Sequence, residues 1–223
     1  DLADYIRRGR INSTVYNLPT YRLDTAECRN DLQLRFQLDQ ASQEHLAHFI
    51  RVPTTICRNA YKDCAMQGSC RLVTQGRRFM IGYAGRNDSG YTFQLRNPVE
   101  CPYGTGANYG GRSVCIEPYF SVAADLSVYP VGTVLYIPAM RGVRLKNGTK
   151  HHGHFIVRDS GGRIKGGSRF DFAIGYEDPN NPQNAFYQTK VGRMNPGWEY
   201  FVVKGKTAEA YRRFHNFPGI RNR

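Results

Sequence analysis

From about residue 76 onward, apolar and polar side chains alternate in short runs. Segments 78–83, 91–95, 113–116, 120–124, 133–137, 154–158, 169–174 and 199–203 show this pattern or short apolar blocks, separated by clusters of Gly, Pro, Asn and Asp. Both features predict β-strands, and so many short strands at this spacing predict a closed or nearly closed barrel. The N-terminal third has a different period. Leu34, Leu38 and Ala41, then Leu46, Phe49 and Ile50, recur at helical spacing, with Thr25 or Asn30 as caps and Pro53 as the stop. A second, shorter helix is predicted over 59–66 and a third over 207–214. Residues 1–23 lack periodicity and read as an extended arm lying on the rest. The chain therefore divides into a helical extension at 1–75, a β domain at 76–205 and a tail at 206–223. No long second domain interrupts the predicted barrel.

Within this pattern the stretch 154–176 places chemistry on scaffold. Phe155-Ile156-Val157 reads as a strand that delivers Asp159 at its end, Gly161-Gly162 turns the chain, and a second strand carries Asp171 between Phe170 and Phe172. Side chains alternate across a strand, so Asp171 should point away from both phenylalanines. Asp125 follows the 120–124 run in a similar setting.

Composition narrows the setting. At 223 residues the chain has room for a proper core. No apolar run approaches the roughly 18 residues that a spanning helix needs. It begins at Asp1 without an initiator Met or a hydrophobic leader, as expected of a processed or trimmed chain. Cys28, Cys57, Cys64, Cys70, Cys101 and Cys115 form an even set without zinc or redox spacing. Three disulfides and an oxidising compartment, periplasmic or extracellular, follow. Cys101 and Cys115 bracket a glycine-rich segment and read as one pair; the other four leave three connectivities open. The net charge of +13 favours a polyanionic partner such as a cell-wall polymer. The basic residues are dispersed, with short clusters at Arg77-Arg78, Arg212-Arg213 and 221–223, and no nucleic-acid-binding motif accompanies them.

Three segments carry a family resemblance: SVAADLSVYPVGTVLYIP, HFIVRDSGGRIKGGSRFDFAIG and WEYFVV. Asp125 with Pro130, Gly132 and Thr133, Asp159 with Gly161, Gly162, Ile164, Lys165 and Gly166, and Asp171 with Phe172 resemble the three-aspartate (3D) domain. Membrane-bound lytic transglycosylase A and the stationary-phase survival proteins share that domain. The resemblance covers about 90–205 and implies a six-stranded double-psi β-barrel that cleaves peptidoglycan glycan strands. It places the single acid/base on Asp171, with Asp159 and Asp125 lining or supporting the same groove.

Glycosidic cleavage requires a protonated carboxyl beside the leaving oxygen, hence an acid of raised pKa. A neighbouring Asp159, or apolar walls from Phe170 and Phe172, would raise that of Asp171. Attack by the sugar's own 6-hydroxyl then needs no second carboxylate, whereas a hydrolase needs one. Glu117 is the first candidate for that partner and Glu100 the second; a solvated loop carboxylate is the alternative for each. Asp159 and Asp125 equally suit capping of the turns that follow them. Lys165 either binds an acidic group or holds Asp159 ionised, or else is a solvated turn lysine. Trp198, then Tyr119 and Tyr176 among the tyrosines, are candidate sugar-stacking faces, and core filling is the alternative.

The preferred function is a monomeric peptidoglycan glycosidase that cuts the MurNAc–GlcNAc β-1,4 bond without a cofactor, giving an anhydro or a reducing end. A non-catalytic carbohydrate-binding barrel of barwin or expansin type would keep the fold, the disulfides and the charge. A zinc peptidase would use His152 and Asp159 at H-x6-D spacing, and His215 is the one further histidine downstream.

Overall fold

The computed structural model describes residues 2–46, 53–96, 98–191 and 197–219. It falls into two compact units, one made of 1–17 with 105–223 and the other of 18–104. The domain boundaries expected from sequence are therefore displaced. Residue 75 lies in the turn of a hairpin, between strands Ser69–Thr74 and Arg77–Asn87, so the chain does not change unit there. The second unit is in fact inserted between the two parts of the first, contrary to the reading that nothing interrupts the β domain.

The first unit is built on one mixed sheet of seven strands. From edge to edge these are Tyr5–Arg10, Glu199–Val203, Val134–Tyr136, His154–Asp159, Ser121–Ala123, Arg169–Ala173 and Asn12–Tyr16. The ladder is open and has seven strands, so the expected closed six-stranded barrel is not present among the described residues. Its two edges are nonetheless halves of one chain run, broken only at Ile11, whose N–H bonds to the Trp198 carbonyl at 2.8 Å. The supposed N-terminal arm, 1–23, is thus made of sheet strands: these two, and Thr20–Arg22 in the second unit. The strand Asn12–Tyr16 lacks an apolar signal because Ser13 alone of its five residues is fully buried.

Phe155, Val157, Phe170, Phe172, Leu135 and Tyr200 form the core of this sheet, with helix Ala185–Thr189 contributing Phe186. The run 199–203 is found with its expected bounds. The C-terminal helix, Gly205–Phe214, begins two residues earlier than expected. Its first turn is held by Asp4, whose Oδ2 accepts from the Thr207 hydroxyl at 2.6 Å and from the Thr207 N–H at 3.2 Å. A carboxylate there also favours the helix dipole.

The second unit is a five-stranded sheet, in order Thr20–Arg22, Ser69–Thr74, Arg77–Asn87, Gly90–Arg96 and Gln37–Leu38. Ile56, Leu72, Ile81 and Phe93 are fully buried in its core. The predicted 25–50 helix is replaced by helix Ala26–Asn30, strands Gln33–Arg35 and Gln37–Leu38, and helix Gln40–Leu46; residues 47–50 lie outside the described residues. Two tertiary ties override the helical period. Gln33 to Arg35 pair with Cys57 to Thr55, and Cys28 is bridged to Cys57. Helix Arg58–Met66 matches its expected range, with Cys64 bridged to Cys70. No cysteine is free, and Cys101 and Cys115 are also disulfide-bonded. Among the described residues no helix is long and apolar enough to cross a membrane.

Candidate functional site

The registers of three strand pairings, over four strands, bring four residues into one row. Ala123 pairs with Asp159 on one side and Asp171 on the other, and Asp171 pairs with Thr14 beyond. A bulge is needed for this. The pairing steps from Val122 opposite Val157 to Ala123 opposite Asp159, leaving Arg158 as the extra residue. Bulges re-aim side chains, and here the result is that both aspartates flank a single methyl group. Strands lie about 4.8 Å apart, so two carboxyls leaning over Ala123 come within electrostatic reach of each other.

Each carboxyl has its own environment. Phe170 and Phe172 are fully buried and Asp171 points away from them, as alternation requires. Burial raises the Asp171 pKa, against lowering by a hydrogen bond from Thr14 and by the charge of Arg169. Burial pushes Asp159 further, to about 7; the Asp171 charge adds to this, against the Ser160 N–H on its Oδ1 at 2.8 Å. The Tyr16 hydroxyl is buried without a hydrogen bond of normal geometry, yet close enough to Asp159 and Asp171 for both to raise its pKa after burial itself.

Asp125 is different. Its Oδ1 accepts from the Ser127 N–H at 3.1 Å and hydroxyl at 2.7 Å, and its Oδ2 from the Gly166 N–H at 2.9 Å. These bonds, Gly166 first, hold its pKa below the usual value, with Lys165 adding to the effect. Asp125 thereby fastens the D-x-G-G-x-I-K-G loop to its own turn. Gly132 needs φ +91° in that turn, where its N–H meets the Val157 carbonyl at 2.8 Å. Lys165 is exposed and its charge acts on Asp125.

Glu117 belongs to a second cluster. Arg158 is almost completely buried; its Nη2 donates to Glu117 Oε2 at 3.2 Å and to the His215 carbonyl at 2.9 Å. His152 Nδ1 accepts the His154 N–H, so neutral His152 donates through Nε2 to His215 Nε2 at 2.6 Å. His215 then donates through Nδ1 to Glu117 Oε1 at 2.9 Å. Burial, followed by the charge of His215, lowers His152 to about 3. Glu117 is the counter-charge of a buried arginine, and both ring nitrogens of His152 are engaged. Among the described residues no group of three such side chains is placed to hold a metal.

Of the candidate stacking faces, Tyr119 is buried at φ +66°, with its ring edge-on to Phe186 and its hydroxyl held by Glu177. Trp198 packs against the main core with its indole N–H buried and unpartnered, and Tyr176 is half-buried. Thr14 and Tyr16 join the site without having been expected there. Their one signal was the alternation in Asn12-Ser13-Thr14-Val15-Tyr16, which sets Asn12, Thr14 and Tyr16 on a shared face.

A family model, the 3D domain, matches residues 120–190. No curated protein sequence matches the chain. Among solved structures, MltA from Escherichia coli with bound chitohexaose is 16% identical, with a TM-score of 0.53 over 88% of this chain and 72% of that one. A membrane-bound lytic murein transglycosylase from Agrobacterium tumefaciens is 14% identical, with a TM-score of 0.53 over 92% and 77% respectively. These likenesses are of fold.

Proposed function

We propose, on the premise of the 3D-domain match over residues 120–190, that this chain cleaves peptidoglycan glycan strands as a lytic transglycosylase. The observation that carries the proposal is the row Asp159, Ala123, Asp171, Thr14, in which two acids of raised pKa share one small residue. In this reading Asp171 is the acid. It protonates the glycosidic oxygen between MurNAc and GlcNAc, and the C1–O bond breaks. The MurNAc 6-hydroxyl then closes on C1 and returns its proton to Asp171, so a 1,6-anhydro end forms and the carboxyl is regenerated. Asp159, kept protonated by burial and by the Asp171 charge, stands beside it as a neutral neighbour. Asp125 supports the loop between them.

Glu117 favours the transglycosylase over a lysozyme-type hydrolase. Its two oxygens serve His215 and Arg158, so it is not placed as the second carboxylate that would position water. The chitohexaose in the Escherichia coli relative suits a β-1,4-linked glycan substrate. The disulfides support a periplasmic or extracellular location.

The test is digestion of purified peptidoglycan by the wild type and by Asp171→Asn, with products identified by mass spectrometry. Anhydromuramyl ends are expected from the wild type, with a loss on the order of a hundredfold or more in the variant. Reducing muramyl ends would make the enzyme a lysozyme. An uncut polymer that retains the protein would leave a binding module.

A further inference from the structure

The Arg169 Nη2 group donates to the Thr14 hydroxyl oxygen at 2.7 Å, and that hydroxyl lies 2.8 Å from Asp171 Oδ1. A hydroxyl has one hydrogen. Because Arg169 can only donate, the Thr14 hydrogen is directed at Asp171, and Oδ1 is an acceptor. We propose that Thr14 and Arg169 are positioning residues that confine the acid proton of Asp171 to Oδ2, so that one defined oxygen both delivers and recovers it. This deepens the transglycosylase reading and rests on it. A carboxyl that acts first as acid and then as base benefits from a fixed donor at its other oxygen, because the hydrogen bond strengthens as the charge develops.

The rest of the neighbourhood is consistent with that assignment. Arg169 is anchored by a second bond, from Nη1 to the Phe170 carbonyl, on the same strand as Asp171. Thr14 is fixed by its place in the ladder, directly opposite Asp171. The other titratable groups acting there are Tyr16, on the strand of Thr14, and Asp159, across Ala123. Neither occupies Oδ1. Both the Thr14 bond and the Arg169 charge favour the ionised form of Asp171, so removing either raises its pKa.

The test uses the full chain with Thr14→Val, Thr14→Ser and Arg169→Gln, each checked for folding by thermal denaturation. Two readouts are taken: titration of the Asp171 carboxyl carbon by NMR, which needs no activity, and the pH profile of kcat on peptidoglycan. In Thr14→Val the carboxyl should titrate at higher pH than in the wild type, and the alkaline limb of kcat should move the same way. The expected kcat loss is on the order of tenfold at nearly constant KM. Thr14→Ser should restore both readouts. Arg169→Gln should shift the titration in the same direction, and it carries the test if Thr14→Val fails to fold. An Asp171 titration that stays in place in the folded variants would overturn the proposal. If the titration moves as described but the wild type cuts no glycan, the proton assignment stands and the transglycosylase reading fails.

Discussion

At the scale of the residue, three aspartates of one motif have three different fates. Asp125 accepts three hydrogen bonds and is a fastening, Asp159 is a half-buried acid with a pKa pushed up to about 7, and Asp171 is a half-buried acid opposed by a hydroxyl and an arginine. The sign of the Asp159 shift makes a prediction. Its folded value of about 7 lies above the ordinary aspartate value of 3.8, so between these pH values the folded chain retains a proton that the unfolded chain has released. Stability contributed by this group is present below pH 3.8 and is lost as pH rises through 7. Asp159→Asn should therefore melt higher than the wild type at pH 8, by about 2–4 °C for each kcal/mol recovered, and lose that advantage near pH 3.5. His151, His152 and His154, whose pKa values burial lowers, are common to both proteins and cancel in the comparison. Paired thermal melts across pH check this; equal differences at both pH values would refute it.

At the scale of the element, the site depends on strands whose sequences say little. The bulge at Arg158 turns Asp159 toward Asp171, and Ala123 keeps the space between them open. The strand Asn12–Tyr16 brings two hydroxyls, although only a weak alternation marks it. The long predicted helix failed for the opposite reason. Its period was plain, but pairing of Gln33–Arg35 and the Cys28–Cys57 bridge hold that segment extended. The two described bridges should also differ in weight. Cys28–Cys57 closes 29 residues and Cys64–Cys70 closes 6. Loop entropy then assigns them about 3.6 and 2.2 kcal/mol. Denaturant unfolding of Cys28→Ser/Cys57→Ser against Cys64→Ser/Cys70→Ser should show the first pair losing more; the reverse order would reject the entropic account.

At the scale of the whole molecule, charge and connectivity matter most. A net charge of +13 attracts a polyanionic wall, and salt screens that attraction. Raising ionic strength from about 0.05 to 0.3 M should raise KM for peptidoglycan while leaving kcat nearly unchanged. A salt-independent KM would mean that the charge plays no part in capture. Connectivity was the feature least accessible from the chain. The inserted unit at 18–104 separates Thr14 and Tyr16 from the aspartates they face, across more than a hundred residues.

The sequence by itself determined the β-rich class, the spacing of the three aspartates, the orientation of Asp171 away from Phe170 and Phe172, and the oxidised cysteines. These are consequences of local period, motif and composition, which a linear reading contains. Only the tertiary structure decided that Asp125 is a fastening, that Glu117 balances Arg158, that the sheet has seven strands in an open ladder, and that Thr14 faces Asp171. Each of these rests on strand register and burial, which arise when distant segments pair and exclude water, and neither is encoded at any single position.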